Sequence, residues 1–397
     1  MPSVYLDHGA TTPVRPEVVE IVNEYMTTIF GNPSSTHTFG RTAKKAMDEA
    51  RKRIADVIGA NAEEIFFTSS GTESDNIAII GAAYQHKEKG KHIITSSVEH
   101  DAVLDAYKFL ETEGFNLTIL PVDEYGMVSL SDVEEAIKKD TILISVMHAN
   151  NEVGTIQPVE EIGRIARKNG IIFHIDAVQS FGKLPIDAKM IGADLLSVSG
   201  HKIYGPKGTG FLYVRNGIEL RPLFFGGEQE QKLRPGTENM SGIVGMGLAA
   251  ELAVMEMDKE KLRLSKLREK LITGLLEVVP DISINGHPEN RVAVNANISF
   301  SYVKGKELLH ALDLQGIAAS SGSACSAALD TPSHVLIAMG LSKELAQGSI
   351  RMTLGRENDE EDIDYILSVL PPIVENLRSK PQSYEQKEEK EECPCLH

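Results

Sequence analysis

A chain of 397 residues, 42% hydrophobic and 24% charged, has interior enough for two or three domains and an ordinary globular composition. That excludes a mini-scaffold, wholesale disorder and a fibrous repeat. Acids outnumber bases 57 to 40, and the resulting formal charge of −17 repels a phosphate backbone, which argues against nucleic acid as a main partner.

The N-terminus, Met1-Pro2-Ser3-Val4-Tyr5, lacks the basic and apolar blocks of a signal peptide, and no apolar run reads as long enough to span a membrane. Three cysteines are too few for a disulfide framework, so a cytoplasmic protein with no membrane partner is expected. A strand-like arm, Val4-Tyr5-Leu6, leads into a small-residue turn. Apolar, β-branched runs at 65–68, 92–95, 117–122, 142–147, 171–175, 194–198 and 211–214 predict buried strands. Helical patterns lie between most of them, for example 42–58 with Ala46, Ala50, Ile54 and Val57 on one face, or 159–168 with Ile162, Ile165 and Ala166. This alternation predicts an α/β fold with an open, mostly parallel sheet covered on both faces. From Gly242 the texture changes to a helical stretch over 244–279, interrupted near Asp258. A second domain then follows, with strands at 296–302 and 348–353 and helices at 306–312, 332–339 and 361–377. Nine of the net negative charges fall within 357–364 and 385–392, and the segment from Ser379 on lacks apolar periodicity, so a disordered tail is expected.

The most informative segment is Ser197-Val198-Ser199-Gly200-His201-Lys202-Ile203-Tyr204-Gly205, in which a strand delivers a lysine into a turn of small and polar residues. A lysine there is ordinarily a solvated surface group. A lysine that forms an imine with an aldehyde instead needs a partly desolvated site, because only its neutral form attacks. Twenty-six positions earlier, His174-Ile175-Asp176-Ala177-Val178-Gln179 puts an acid at the end of a buried strand, where it needs a partner. Pyridoxal phosphate offers one in its protonated ring nitrogen, and the alternative for Asp176 is a helix cap. The string 65–76, ending Ser69-Ser70-Gly71-Thr72-Glu73-Ser74-Asp75-Asn76, runs from strand through turn into a helix whose first N–H groups suit a phosphate. Read alone, it is also a helix capped by Ser70 or Thr72. The glycine-rich string 205–210 leads into a strand, so it lacks the context of a dinucleotide loop. No histidine pair at helical spacing has a third ligand nearby, which argues against a zinc hydrolase.

Further strings occur in the same order: Tyr5-Leu6-Asp7, Ala10-Thr11-Thr12-Pro13, Gly31-Asn32-Pro33-Ser34-Ser35, Glu99-His100, Asn150-Asn151-Glu152-Val153-Gly154, Arg234-Pro235-Gly236-Thr237-Glu238-Asn239 and Ser321-Gly322-Ser323-Ala324-Cys325. Together with those above they closely resemble the NifS/IscS-type cysteine desulfurases, class V, fold-type I pyridoxal-phosphate enzymes, from about residue 4 to Arg356. The resemblance implies a large pyridoxal-phosphate domain over 14–257 with a mostly parallel seven-stranded sheet. It also implies a small α+β domain from 1–13 and 258–378 that carries the cysteine loop, followed by the tail 379–397. By the same resemblance Lys202 is the Schiff-base lysine, Asp176 the partner of the ring nitrogen, Gln179 a donor to the ring hydroxyl and His100 the imidazole stacked over the ring. Thr72, Ser199 and His201 would hold the phosphate, Gly71 would let the backbone approach it, and Asn151 would lie beside ring and substrate. Arg351 would clamp the substrate carboxylate, and Thr237 would reach the phosphate of the other subunit in a homodimer. One departure stands out: many relatives read Asp-Asn-Ala-Ala-Thr-Thr where this chain has Asp7-His8-Gly9-Ala10-Thr11-Thr12, and His8 reads as a tolerated substitution rather than a catalytic histidine.

Cys325 separates a desulfurase from a class V aminotransferase. It lies in a run of small residues, 318–328, that suits a mobile nucleophile better than a buried structural thiol. The expected reaction takes L-cysteine to L-alanine, leaves a persulfide on Cys325 with His100 moving protons, and passes the sulfur to an acceptor or iron–sulfur scaffold protein. A selenocysteine lyase remains an alternative, as does a catalytically silent scaffold, against which Lys202, Asp176, Arg351 and Cys325 argue. Cys393-Pro394-Cys395 has two readings: tail thiols without a role, or thiols that relay sulfur or share a metal with a partner.

Overall fold

The computed structural model describes residues 3–322 and 331–379. Seven strands form the main sheet, in the spatial order Ile65–Thr68, Gly210–Val214, Leu195–Ser199, Ile172–Asp176, Thr141–Ser145, His92–Ser96 and Asn116–Leu120. Every pairing among the last five is parallel, while Gly210–Val214 runs antiparallel to both of its neighbours. Each strand falls within two residues of its expected place. The central strands are buried along their whole length, so their sequences are unbroken apolar runs rather than alternating ones.

Helices cover both faces. On one side Thr38–Val57 presents Ala43, Ala46, Ala50 and Ile54 to the core. On the other, Gly71–His86 and Asp101–Thr112 enclose a second apolar cluster with Ile77, Ala78, Tyr107 and Leu110.

The helix expected to break near Asp258 is continuous, Met240–Val278, 39 residues long. Its first half packs Ile243, Met246, Ala249 and Ala250 into the core of the large sheet, and its second half packs Leu264, Leu267, Leu271 and Leu275 into a separate core. Asp258 lowers helix propensity by only a fraction of a kcal/mol, roughly 0.7 at most, and burial on either side of it outweighs that cost. This helix also contains a window apolar enough to cross a membrane by length and composition, which the sequence reading did not register. Over half of that window is buried inside the protein, where the helix packs on Pro16–Thr27 and Thr38–Val57.

The second core lies over an antiparallel sheet of Ile282–Asn285, Asn295–Phe300 and Ser349–Thr353. Helices Gly305–Asp313 and Glu360–Ser379 contribute Leu308, Leu312, Ile363, Ile366 and Leu370 to it. The short edge strand Ile282–Asn285 was not expected, because four residues carry too little pattern to stand out. The N-terminal arm, Val4–Tyr5, pairs in parallel with Ile317–Ala318, and Asp7 bridges to Thr353, so the chain start is tied into the second core. Of the expected tail, 380–397 lies outside the described residues, as do Cys393 and Cys395.

Candidate active site

A cavity of about 250 Å³ opens at the carboxyl ends of the parallel strands, where ligands of open α/β sheets bind. Ten of the twelve residues singled out from the sequence line it: Gly71, Thr72, His100, Asn151, Asp176, Gln179, Ser199, His201, Lys202 and Arg351. Thr237 does not. It is exposed on a separate surface loop beside Phe225 and Arg234. Cys325 lies outside the described residues, but both flanks of its loop meet Glu152. Ser333 donates to Glu152 at 2.5 Å, and a side chain at Gly322, where φ is +98°, would collide with the same carboxylate.

Strand Leu195–Ser199 ends in a tight turn, Gly200–Lys202, that aims Lys202 back across the cavity. Lys202 Nζ donates to the carbonyls of Gly9 (2.5 Å) and Ala10 (2.8 Å), so the N-terminal arm forms one wall. Asp176 closes strand Ile172–Asp176 and accepts from the Val178 amide at 2.9 Å. Burial raises its pKa, and the charges of His100 and Lys202 partly oppose that rise.

A second acid, Asp75, stands close by. Burial and the charge of Asp176 push it well above the carboxylate range, and its Oδ1 has no hydrogen-bond partner. His174 Nε2 lies 3.5 Å from Asp75 Oδ1, but burial drives that histidine down to about 3, so it is neutral and supplies no counter-charge. Two buried acids with an unpartnered oxygen fit a cationic heteroaromatic N–H in the cavity.

The opposite end of the cavity suits an anion. Helix Gly71–His86 starts there, capped by Ser70, whose hydroxyl accepts from the Glu73 amide at 3.1 Å, so Ser70 and not Thr72 is the cap. A Cβ at Gly71 would lie 2.6 Å from Val178 Cγ2, so only glycine permits this approach. His201 is held down to about 4 by burial and by the charges of Lys202, Lys207 and Lys183, which marks the region as rich in positive potential.

His100 caps helix Asp101–Thr112 by accepting from the Ala102 amide at 3.1 Å through Nδ1, which leaves Nε2 as the N–H that faces other partners. Arg351 arrives from the second sheet, 2% exposed. Its Nη2 donates to Asp7 Oδ1 (2.9 Å) and its Nη1 to Asn151 O (3.1 Å), while the buried Nε is unpartnered. His8 lines a smaller neighbouring cavity instead, with Nδ1 and Nε2 each 3.1 Å from Thr353 O and Glu357 Oε2.

The sequence reading missed three groups here: the buried acids Asp75 and Glu99 and the half-buried Lys183. Glu99 accepts from Ser96 Oγ (2.6 Å) and the Met147 amide (3.0 Å), and burial lifts it to about 8. Asp75 and Glu99 both sit inside quoted strings, but nothing in those strings signals that their carboxyls point inward.

The comparisons with known proteins agree with this geometry. Residues 4–366 match the family described as Aminotransferase class-V. The chain is 55% identical to "Cysteine desulfurase IscS" of Methanosarcina thermophila, over 95% of this chain and 93% of that one. It is 53% identical to the protein of the same name from Dictyoglomus turgidum, over 95% of each. Among solved structures, a NifS-like protein superposes with a TM-score of 0.89 at 40% identity, covering 94% of this chain and all of that one. A structure titled "SspA in complex with cysteine" superposes with a TM-score of 0.79 at 41% identity, over 89% of this chain and 99% of that one.

Proposed function

The chain belongs to the class-V aminotransferase family, among its NifS/IscS-type cysteine desulfurases, and from that premise we propose that it removes sulfur from L-cysteine with pyridoxal phosphate in this cavity. The observation that carries the reading is the meeting of Lys202, two buried acids and the part-satisfied guanidinium of Arg351 around one cavity. Asp176, supported by Asp75, would hold the proton on the ring nitrogen. The start of helix Gly71–His86, with Thr72, Ser199 and His201, would hold the phosphate. Bound there, the cofactor supplies an electron sink for the substrate Cα.

The remaining chemistry falls to the chain's own side chains. Gln179 would donate to the ring oxygen, and Asn151 would lie beside ring and substrate. Arg351 grips the substrate carboxylate with its unpartnered edge. Lys202 would hold the cofactor through its aldehyde and, as a neutral base in a desolvated site, would take the Cα proton. His100 Nε2 moves protons at the substrate thiol. The Cys325 thiolate attacks the substrate sulfur: an S–S bond forms, the carbon–sulfur electron pair returns to the substrate carbon, and that carbon takes up protons to become alanine. The sulfur left on Cys325 goes to an acceptor or iron–sulfur scaffold protein.

The reading extends to a cytoplasmic homodimer in which exposed Thr237 completes the phosphate site of the partner. It also assigns 14–257 to the cofactor domain and 1–13 with 258–378 to the domain that carries the cysteine loop. The deciding experiment offers L-cysteine to the purified yellow protein and to Cys325→Ala, and measures alanine and sulfide. The variant should stay yellow and release neither; undiminished release would remove Cys325 from the mechanism.

A further inference from the structure

Gln179 is held from both ends. Its Nε2 donates to the Gly9 carbonyl at 3.0 Å, and its Oε1 accepts from Lys183 Nζ at 3.2 Å. A carbonyl can only accept and an ammonium can only donate, so these two neighbours leave the amide a single orientation. Lys183 is four residues beyond Gln179 in the turns after Asp176, where Ser180 donates to Ala177 O and Lys183 to Ser180 O. Between them stands Gly182, with φ of +71° and only 2.9 Å from where its Cβ would sit to Ala253 Cβ, so the turn that carries Lys183 inward requires glycine.

Lys183 does not line the main cavity. It lines a smaller one of about 60 Å³ on the far side of Lys202, so it reaches the site only through Gln179. Its hydrogen-bond acceptor is a neutral amide rather than a carboxylate. The charges that act on it are those of Lys202 and Arg351, and it acts in turn on His201 and His8; the acids of the small cavity it lines, Glu256 and Glu260, are already paired with Arg15, Arg356 and Arg263. Burial together with Lys202 and Arg351 pushes Lys183 down to about 7. A half-buried cation beside two others is costly unless an anion nearby offsets it.

We propose that Lys183 is a positioning residue: by donating to Gln179 Oε1 it fixes the amide with Nε2 toward the cavity, and through that amide it stabilises an anionic ring oxygen of the bound cofactor. This rests on the pyridoxal-phosphate reading of the cavity. Without Lys183, only the Gly9 carbonyl still holds the amide's orientation, and the local positive charge is gone. Both changes make the cofactor site hold its proton more tightly.

The test titrates the visible absorbance of the cofactor-loaded, full-length protein against pH. In Lys183→Met the midpoint should rise by about one pH unit, a tenfold change in the protonation equilibrium. Lys183→Arg, which keeps donor and charge, should restore most of it. In a Gln179→Ala background, Lys183→Met should move the midpoint far less, because the amide that transmits the effect is missing. If Lys183→Met does not fold, Lys183→Gln takes its place, since its shorter side chain falls short of Gln179. An unmoved midpoint, or an equal shift with and without Gln179, overturns the proposal. A wild-type protein that stays colourless with pyridoxal phosphate would instead overturn the cofactor reading, and this proposal with it.

Discussion

Arg351→Lys tests the substrate side of the mechanism while leaving a positive charge in place. Arg351 has five N–H donors in a rigid fork, and Asp7 Oδ1 and Asn151 O take one each, at 2.9 and 3.1 Å. The Nε edge is buried and unpartnered, so it is available for one oxygen of a substrate carboxylate. A lysine ammonium is a single point and cannot serve Asp7, the Asn151 carbonyl and a substrate from one position. Losing one charge-assisted hydrogen bond costs about 1.5–3 kcal/mol. At about 1.36 kcal/mol per factor of ten, that is roughly a 10- to 150-fold rise in KM for L-cysteine. The assay follows alanine formation against cysteine concentration, with the visible absorbance read alongside. Because no phosphate contact is assigned to Arg351, the variant should remain yellow and lose little in kcat at saturation. An unchanged KM would refute the carboxylate clamp. So would loss of the cofactor colour, since that would place Arg351 on the wrong ligand.

Other outcomes follow from single side chains. Gly71→Ala places a methyl 2.6 Å from Val178 Cγ2, an overpacking worth about 1–3 kcal/mol, and should loosen cofactor binding, seen as faster bleaching on dialysis. Glu230 pairs with Arg51 at 2.6 Å and accepts from the Phe67 amide at 2.9 Å in a nearly dry site. Glu230→Ala strands that guanidinium, so denaturant unfolding should show a loss of about 3–5 kcal/mol. Glu99 titrates near 8 in the fold against an ordinary 4.5, so between those values the native state holds a proton that the unfolded chain has lost, and stability falls as pH rises. Glu99→Gln removes that slope: unfolding at pH 6 and pH 8 should show the variant gaining on the wild type at the higher pH, and parallel profiles would count against it.

What the chain reveals before folding depends on whether burial leaves a trace in composition. The strands are legible because a strand buried on both faces must be apolar throughout, and runs such as Ile142-Leu143-Ile144 have no other ready use. Lys202 and Asp176 are legible for the opposite reason: a charged group at the end of such a run has to be accounted for. Asp258 misled because the polar stretch Glu256-Met257-Asp258-Lys259-Glu260 looks like a break, whereas two separate cores pull on the helix from either side of it. Asp75, Glu99 and Lys183 left no trace at all. Asp75 sits on a helix and Lys183 in a turn, where charged residues usually meet water, and only the tertiary fold turns them inward. Yet Asp75 and Lys183 shape the electrostatics of the cavity. Asp75 burdens its floor with a second acid that asks for a cation, and Lys183 burdens its rear with a cation that asks for an anion. A zwitterionic ligand with a protonated ring nitrogen at one end and anionic oxygens at the other would relieve both at once. These inward-turned groups, which leave no mark on the sequence, therefore constrain what the cavity can hold as directly as the motifs do.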